Sequence, residues 1–142
     1  MKQFLFLLIA SFSIAITAQN EEYVGTYEFY NKDVKGDVIQ YELKLNADQT
    51  FTFYFYRNII CTVCKEEKNY GKGSWKIENK ILHFSTNEDD LDTKSTLNFT
   101  GTTARLIKKS SRDLTDKIVP TALQFYKSKI PWIENLKIIK KT

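Results

Sequence analysis

A chain of 142 residues has the length of one domain, and 42% hydrophobic with 14% aromatic residues is enough to bury a single core. The formal net charge of +4 hides an imbalance: residues 19–100 carry ten Lys/Arg against fourteen Asp/Glu, and residues 101–142 carry ten against three. The basic segment holds Arg105, Lys108, Lys109, Arg112, Lys117, Lys127, Lys129, Lys137, Lys140 and Lys141 without the interleaved aromatics and glycines of nucleic-acid modules, so nucleic acid is excluded as the expected partner.

Residues 1–18 read as a secretory signal peptide. Lys2 supplies the positive start, Phe4 to Ile16 the apolar stretch, and Thr17-Ala18 the small exit before Gln19-Asn20-Glu21-Glu22. The stretch is shorter than the roughly 20 residues of a membrane span, so an integral membrane protein is not expected. No cysteine stands near Ala18 to carry a lipid. The expectation is a single domain over 19–142, cleaved near Ala18 and either secreted or periplasmic. There the basic segment is either a solvated face with a Lys-rich tail or a contact for an anionic surface such as lipid headgroups or polysaccharide.

Seventeen aromatics fall within 19–142, a load that favours pleated, half-buried surfaces. Val24 to Phe29 reads as a first strand. Ile39-Gln40-Tyr41-Glu42-Leu43-Lys44-Leu45 alternates with period two and puts Ile39, Tyr41, Leu43 and Leu45 on one face. Asn46-Ala47-Asp48-Gln49 is a turn, because Asn and Asp hydrogen-bond their own backbone. Phe51 to Tyr56 returns as a strand with apolar or aromatic residues on both faces. Its Phe53, Tyr54, Phe55 and Tyr56 are the candidate ligand-binding residues.

Gly73 to Ile77, a turn at Glu78-Asn79-Lys80 and Ile81 to Phe84 form a second hairpin, with Trp75 and Ile77 on one face and Ser74 and Lys76 on the other. Thr96 to Phe99 and Ala104 to Ile107, split by Gly101, read as a third. Asp113 to Val119 is compatible with a helix that stops at Pro120. Thr121 to Ser128 fits a short helix or a strand. Leu136 to Ile139 reads as a closing strand. The expected fold is therefore all-β, with a short C-terminal helix left open: an antiparallel meander forming a barrel, half-barrel or sandwich. Tyr27, Leu43 and Trp75 are its expected core anchors.

Val24-Gly25-Thr26-Tyr27, Leu45-Asn46-Ala47-Asp48-Gln49-Thr50-Phe51, Gly71-Lys72-Gly73-Ser74-Trp75-Lys76-Ile77 and Leu82-His83-Phe84 together resemble small bacterial lipocalin-like domains. Such domains show a Gly-Thr-aromatic opening, an Asp-Gly-Thr-Phe hairpin and a Gly-x-Trp strand. The resemblance spans residues 24–85, and Gln49 stands where the family has Gly. It implies a β-barrel or half-barrel that binds a small apolar ligand or another protein, with Trp75 packed inside. It implies no catalytic residues.

Cys61-Thr62-Val63-Cys64 is the single cysteine pair. It sits in a loop between strands rather than at a helix N-terminus, where a redox thiolate would be stabilised. A tetrahedral metal site needs four ligands, and His83 is the one histidine. Outside the cytosol a Cys61–Cys64 disulfide is the leading expectation. Soft-metal binding, redox chemistry and unpaired thiols remain alternatives. His83 alternates with Leu82 and Phe84 and should point outward. Asn87-Glu88-Asp89-Asp90-Leu91-Asp92 lacks the Gly of a calcium loop and reads as a solvated connection. No phosphate loop, nucleophile elbow or paired-carboxylate motif appears. The expected function is a non-enzymatic, exported binding module without cofactor, taking a small apolar molecule or a cell-surface protein. The alternative is a thiol protein using Cys61 and Cys64.

Overall fold

The computed structural model describes residues 20–142. The expected signal peptide, and Gln19 at which a processed chain would begin, lie outside the described residues. Nine strands follow in order: β1 (Gly25–Lys32), β2 (Val38–Leu45), β3 (Thr50–Asn58), β4 (Glu67–Glu78), β5 (Ile81–Ser85), β6 (Ser95–Leu97), β7 (Thr103–Ile107), β8 (Ala122–Lys127) and β9 (Lys137–Lys140). Eight of them form an antiparallel meander in which each strand pairs with its neighbour in the chain, and β9 returns to β1 through Tyr27↔Lys140 and Glu28↔Ile139. The sheet closes into a barrel, so the half-barrel and sandwich alternatives fall away. Closure also removes the exposed edges that an open sheet presents.

The turns carry the register. Asn46 N–H donates to the Thr50 carbonyl at 2.9 Å, and Asp48 Oδ1 accepts from Thr50 N–H at 3.0 Å and from its hydroxyl at 2.6 Å. Gln49 takes φ +67° there, the left-handed geometry that glycine adopts most readily. Asn79 (φ +52°) and Lys80 (φ +63°) make the two-residue β4–β5 turn, whose twist matches that of the flanking strands.

Two expectations need correction, and one left open is decided. Residues 96–99 and 104–107 are not a hairpin. β5 pairs with β4 only over Ser74–Glu78, which leaves the edge of the first half of β4 free. β6 lies along that edge in parallel, through Tyr70↔Ser95 and Gly71↔Leu97, while β7 pairs with β5. Asp113 to Val119 is not a helix but irregular chain. So short a segment needs a packed face to stay helical. Here Leu114 and Ile118 are exposed, and the Asp113 carboxylate binds Thr115 N–H instead. Thr121 to Ser128 resolves as strand β8, so the C-terminal helix left open in the sequence does not form.

The core follows period two around the barrel. Tyr27, Leu43, Leu45, Phe51, Phe53, Phe55, Trp75, Leu82, Phe84, Leu123, Phe125 and Ile138 all turn inward and are buried. Trp75 is 2% exposed, and its Nε1–H donates to the Thr50 carbonyl at 3.0 Å. The Tyr27 hydroxyl donates to the Tyr23 carbonyl at 2.7 Å. A buried phenol needs such a partner, because an unpaired one is costly in a low-dielectric core.

Candidate functional site

The meander places the β1–β2, β3–β4, β5–β7 and β8–β9 connections at one end of the barrel. The β2–β3, β4–β5 and β7–β8 connections lie at the other. At the first end Trp132, from the β8–β9 connection, turns back over the barrel. It stacks on Phe55 with ring centroids 4.5 Å apart and reaches Tyr41 at 6.0 Å and Phe53 at 6.1 Å. Phe99, from the β6–β7 connection, enters the wall between Phe51 and Phe53 at 5.1 and 5.0 Å. Rings thus occupy the space beside β3 where an apolar ligand would lie.

The four candidate ligand-binding residues are therefore divided. Phe53 and Phe55 face inward and belong to the core, while Tyr54 and Tyr56 face outward. Strand register builds their surroundings. Glu28, Glu42, Tyr54 and Tyr70 form one row across β1 to β4, with Tyr30, Gln40, Tyr56 and Lys68 on one side of it and Thr26, Lys44, Thr52 and Lys72 on the other. The Tyr54 and Tyr70 rings lie 5.0 Å apart. Lys94 Nζ sits 4.5 Å from the Tyr70 ring centroid, and Lys68 Nζ 5.8 Å from that of Tyr56. A shallow hollow of about 370 Å³ opens here between Glu42, Thr52, Tyr54 and Tyr70.

Several charges bordering this wall are paired. The Tyr56 hydroxyl and then the Lys68 ammonium keep the Glu66 carboxyl below its usual range. Lys72 pairs with Asp92 at 2.8 Å, and together with the Ser95 and Lys94 amides it holds the Asp92 carboxyl well below the ordinary carboxylate range. Partial desolvation, and then the neighbouring Tyr70, push the Tyr54 phenol up. All the wall tyrosines except Tyr70 and Tyr30 were legible from the strand Phe51 to Tyr56. Tyr70 escaped because the first half of β4, Glu67–Lys72, carries no apolar alternation to announce a strand.

Cys61 and Cys64 are joined as a disulfide with Cα atoms 5.2 Å apart, in the exposed β3–β4 connection. In that state neither sulfur is a thiolate, so nucleophilic or metal-binding chemistry would first require reduction. The loop they close is tiny, and the stabilisation from cross-linking grows with loop length. Replacing both with Ser should lower stability by no more than about 1–2 kcal/mol in urea unfolding. A larger loss would show that the loop braces the barrel through Ile60 N–H, which donates to Asp37 Oδ1 at 2.8 Å.

His83 faces out of β5, with Nε2 3.8 Å from Glu78 Oε2. The acidic connection folds on itself: Asp90 Oδ2 accepts from Asn87 N–H at 2.8 Å, and Asp92 takes the contacts given above. Among the described residues no three His, Cys, Asp or Glu side chains gather in a geometry that could hold a metal ion. No helix among them is long and apolar enough to cross a membrane. Several members of the basic segment are engaged with the barrel: Lys141 pairs with Glu28 at 3.3 Å, Lys108 with Glu22, and Arg105 lies 5.3 Å from the Tyr126 ring centroid. Comparison of the chain with family models, curated proteins and solved structures finds no match.

Proposed function

We propose that this chain is an exported, non-enzymatic binding module of lipocalin-like design that takes a cell-surface protein on its outer wall. The observation that carries this reading is the division of β3. Its inward rings are covered by Trp132 and Phe99, while its outward Tyr54 and Tyr56 join Tyr70 and Tyr30 on a broad wall across β1 to β4. Tyrosine is enriched in protein interfaces because it offers a large, stiff contact area with a hydroxyl at its tip. The surrounding Glu42, Lys44, Lys68 and Lys72 supply the polar rim. The signal-peptide pattern of residues 1–18 and the Cys61–Cys64 disulfide both suit work outside the cytosol.

The test is binding of the labelled protein to the surface of the producing cells. Tyr54→Ala with Tyr70→Ala should weaken saturable binding at least about tenfold, the loss of a central aromatic anchor. The melting temperature should move little, since both rings lie on the outer wall. Protease treatment of the cells should abolish binding. A small apolar ligand inside the barrel is the second reading, and it requires Trp132 to leave Phe55. Wild-type binding of a fluorescent fatty acid that quenches tryptophan emission, unaffected by the tyrosine changes, would favour that reading over the wall.

A further inference from the structure

Among the described residues the β7–β8 connection is the longest without regular structure. It runs from Lys108 to Thr121, a length at which loops in compact domains are uncommon and usually functional. Near its tip Leu114 is 93% exposed and Ile118 is 91% exposed. The tip is braced, not frayed. Asp113 N–H donates to the Ser110 carbonyl at 3.0 Å, Asp113 Oδ1 accepts from Thr115 N–H at 3.0 Å and from its hydroxyl at 2.6 Å, and Lys109 Nζ donates to the Thr115 carbonyl. Leu114 is thus held between two fixed neighbours.

Charge chooses what this tip meets. Lys108, Lys109, Arg112 and Lys117 stand against Asp113 and Asp116, a surplus of two positive charges. Lys80 adds another across the hollow of about 480 Å³ that it shares with Lys108, where Glu22 answers Lys108. Val34, Ile60 and Val63 are also exposed at the opposite end of the barrel. Their loops carry no such surplus: Asp33 and Asp37 outweigh Lys35, and Lys65 balances Glu66. We propose that the β7–β8 loop docks this protein on an anionic lipid bilayer, with Leu114 and Ile118 entering the headgroup–acyl boundary while Arg112 and Lys117 face the headgroup phosphates. Exposed aliphatics on a loop with a cationic surplus match that boundary, which is apolar beneath and negative above. This inference stands apart from the tyrosine wall, which lies on the side of the barrel.

Co-sedimentation of the purified protein with vesicles tests it. Vesicles of phosphatidylcholine mixed with phosphatidylglycerol should bind the protein, and phosphatidylcholine alone should bind it at least about tenfold less. Raised salt should weaken the binding, because screening shortens the reach of the cations. Leu114→Ser with Ile118→Ser should cut binding at least about tenfold. Arg112→Ser with Lys117→Ser should erase the preference for phosphatidylglycerol. All four side chains are exposed, so circular dichroism and melting temperature should be unchanged in both variants. Equal sedimentation of the aliphatic variant and the wild type would overturn the proposal, as would no binding to the anionic vesicles. Undiminished binding of the aliphatic variant to soluble heparin, with no gain from vesicles, would assign the loop to polyanions and overturn the bilayer.

Discussion

Trp75→Ala should lower the unfolding free energy by about 3–5 kcal/mol, the range for truncating a large aromatic in a packed core. The indole is 2% exposed and lies on the inward face of β4, next to the Phe84 position of β5 in register. Two terms add. Removing the ring takes away buried apolar contact and leaves a void that the closed wall cannot collapse to fill. It also leaves the Thr50 carbonyl without the Nε1–H that donates to it at 3.0 Å. Trp75 N–H donates to the Gln49 carbonyl at 2.8 Å, so the backbone half of the contact with the β2–β3 turn survives. Lys76→Ala, one residue on, removes an exposed side chain whose partner is Glu78 at 2.9 Å. Exposed pairs of that kind contribute about 0–1 kcal/mol, so this variant should be nearly silent. Urea unfolding of the two variants measures the contrast. A larger loss for Lys76→Ala than for Trp75→Ala would mean that the inward and outward faces of β4 are assigned the wrong way round.

The wall strands were legible because burial on one side writes period two into the sequence. β2, β3 and the β4–β5 hairpin each show it, and Tyr27, Leu43 and Trp75 all fall inside as their phase requires. What escaped is what tertiary contacts decide. β6 has three residues and pairs in parallel with a stretch of β4 that lies far from it in the chain, so no local pattern encodes it. β8 buries Ala122 and Leu123 in succession, which blurs helix and strand periods alike. Trp132 follows Pro131 in a connection that reads as loop, yet it covers Phe55. The proposed binding wall was half visible for the same reason: Tyr54 and Tyr56 share a strand with three core phenylalanines, while Tyr70 and Lys94 join them only when the sheet is assembled.

Gly73 tests that assembly most sharply. Gly71, Gly73 and Trp75 share the inward face of β4, so the two glycines ahead of the tryptophan are gaps left for something else. At Gly71 the gap is filled by a side chain: an added Cβ would lie 2.5 Å from Cε2 of Phe99. At Gly73 it is filled by backbone: an added Cβ would lie 2.1 Å from the Ser85 carbonyl oxygen and 3.1 Å from its carbon. Neither glycine has a positive φ, so alanine would suit both backbones. By its effect on the unfolded chain alone it would stabilise by about 0.4–1 kcal/mol. The clash decides the sign. A phenylalanine ring can tilt, and Gly71→Ala should cost about 1–2 kcal/mol. The Ser85 carbonyl ends β5 at the Ser74↔Ser85 pair and cannot move without parting that ladder, so Gly73→Ala should cost about 3 kcal/mol, the upper end of overpacking. Hydrogen exchange should then quicken at the amides of β5 around Ser85 in Gly73→Ala and stay slow there in Gly71→Ala. If Gly73→Ala proves the milder of the two in urea unfolding, the β4–β5 seam is looser than this packing requires, and the closure of the barrel at that seam would have to be redrawn.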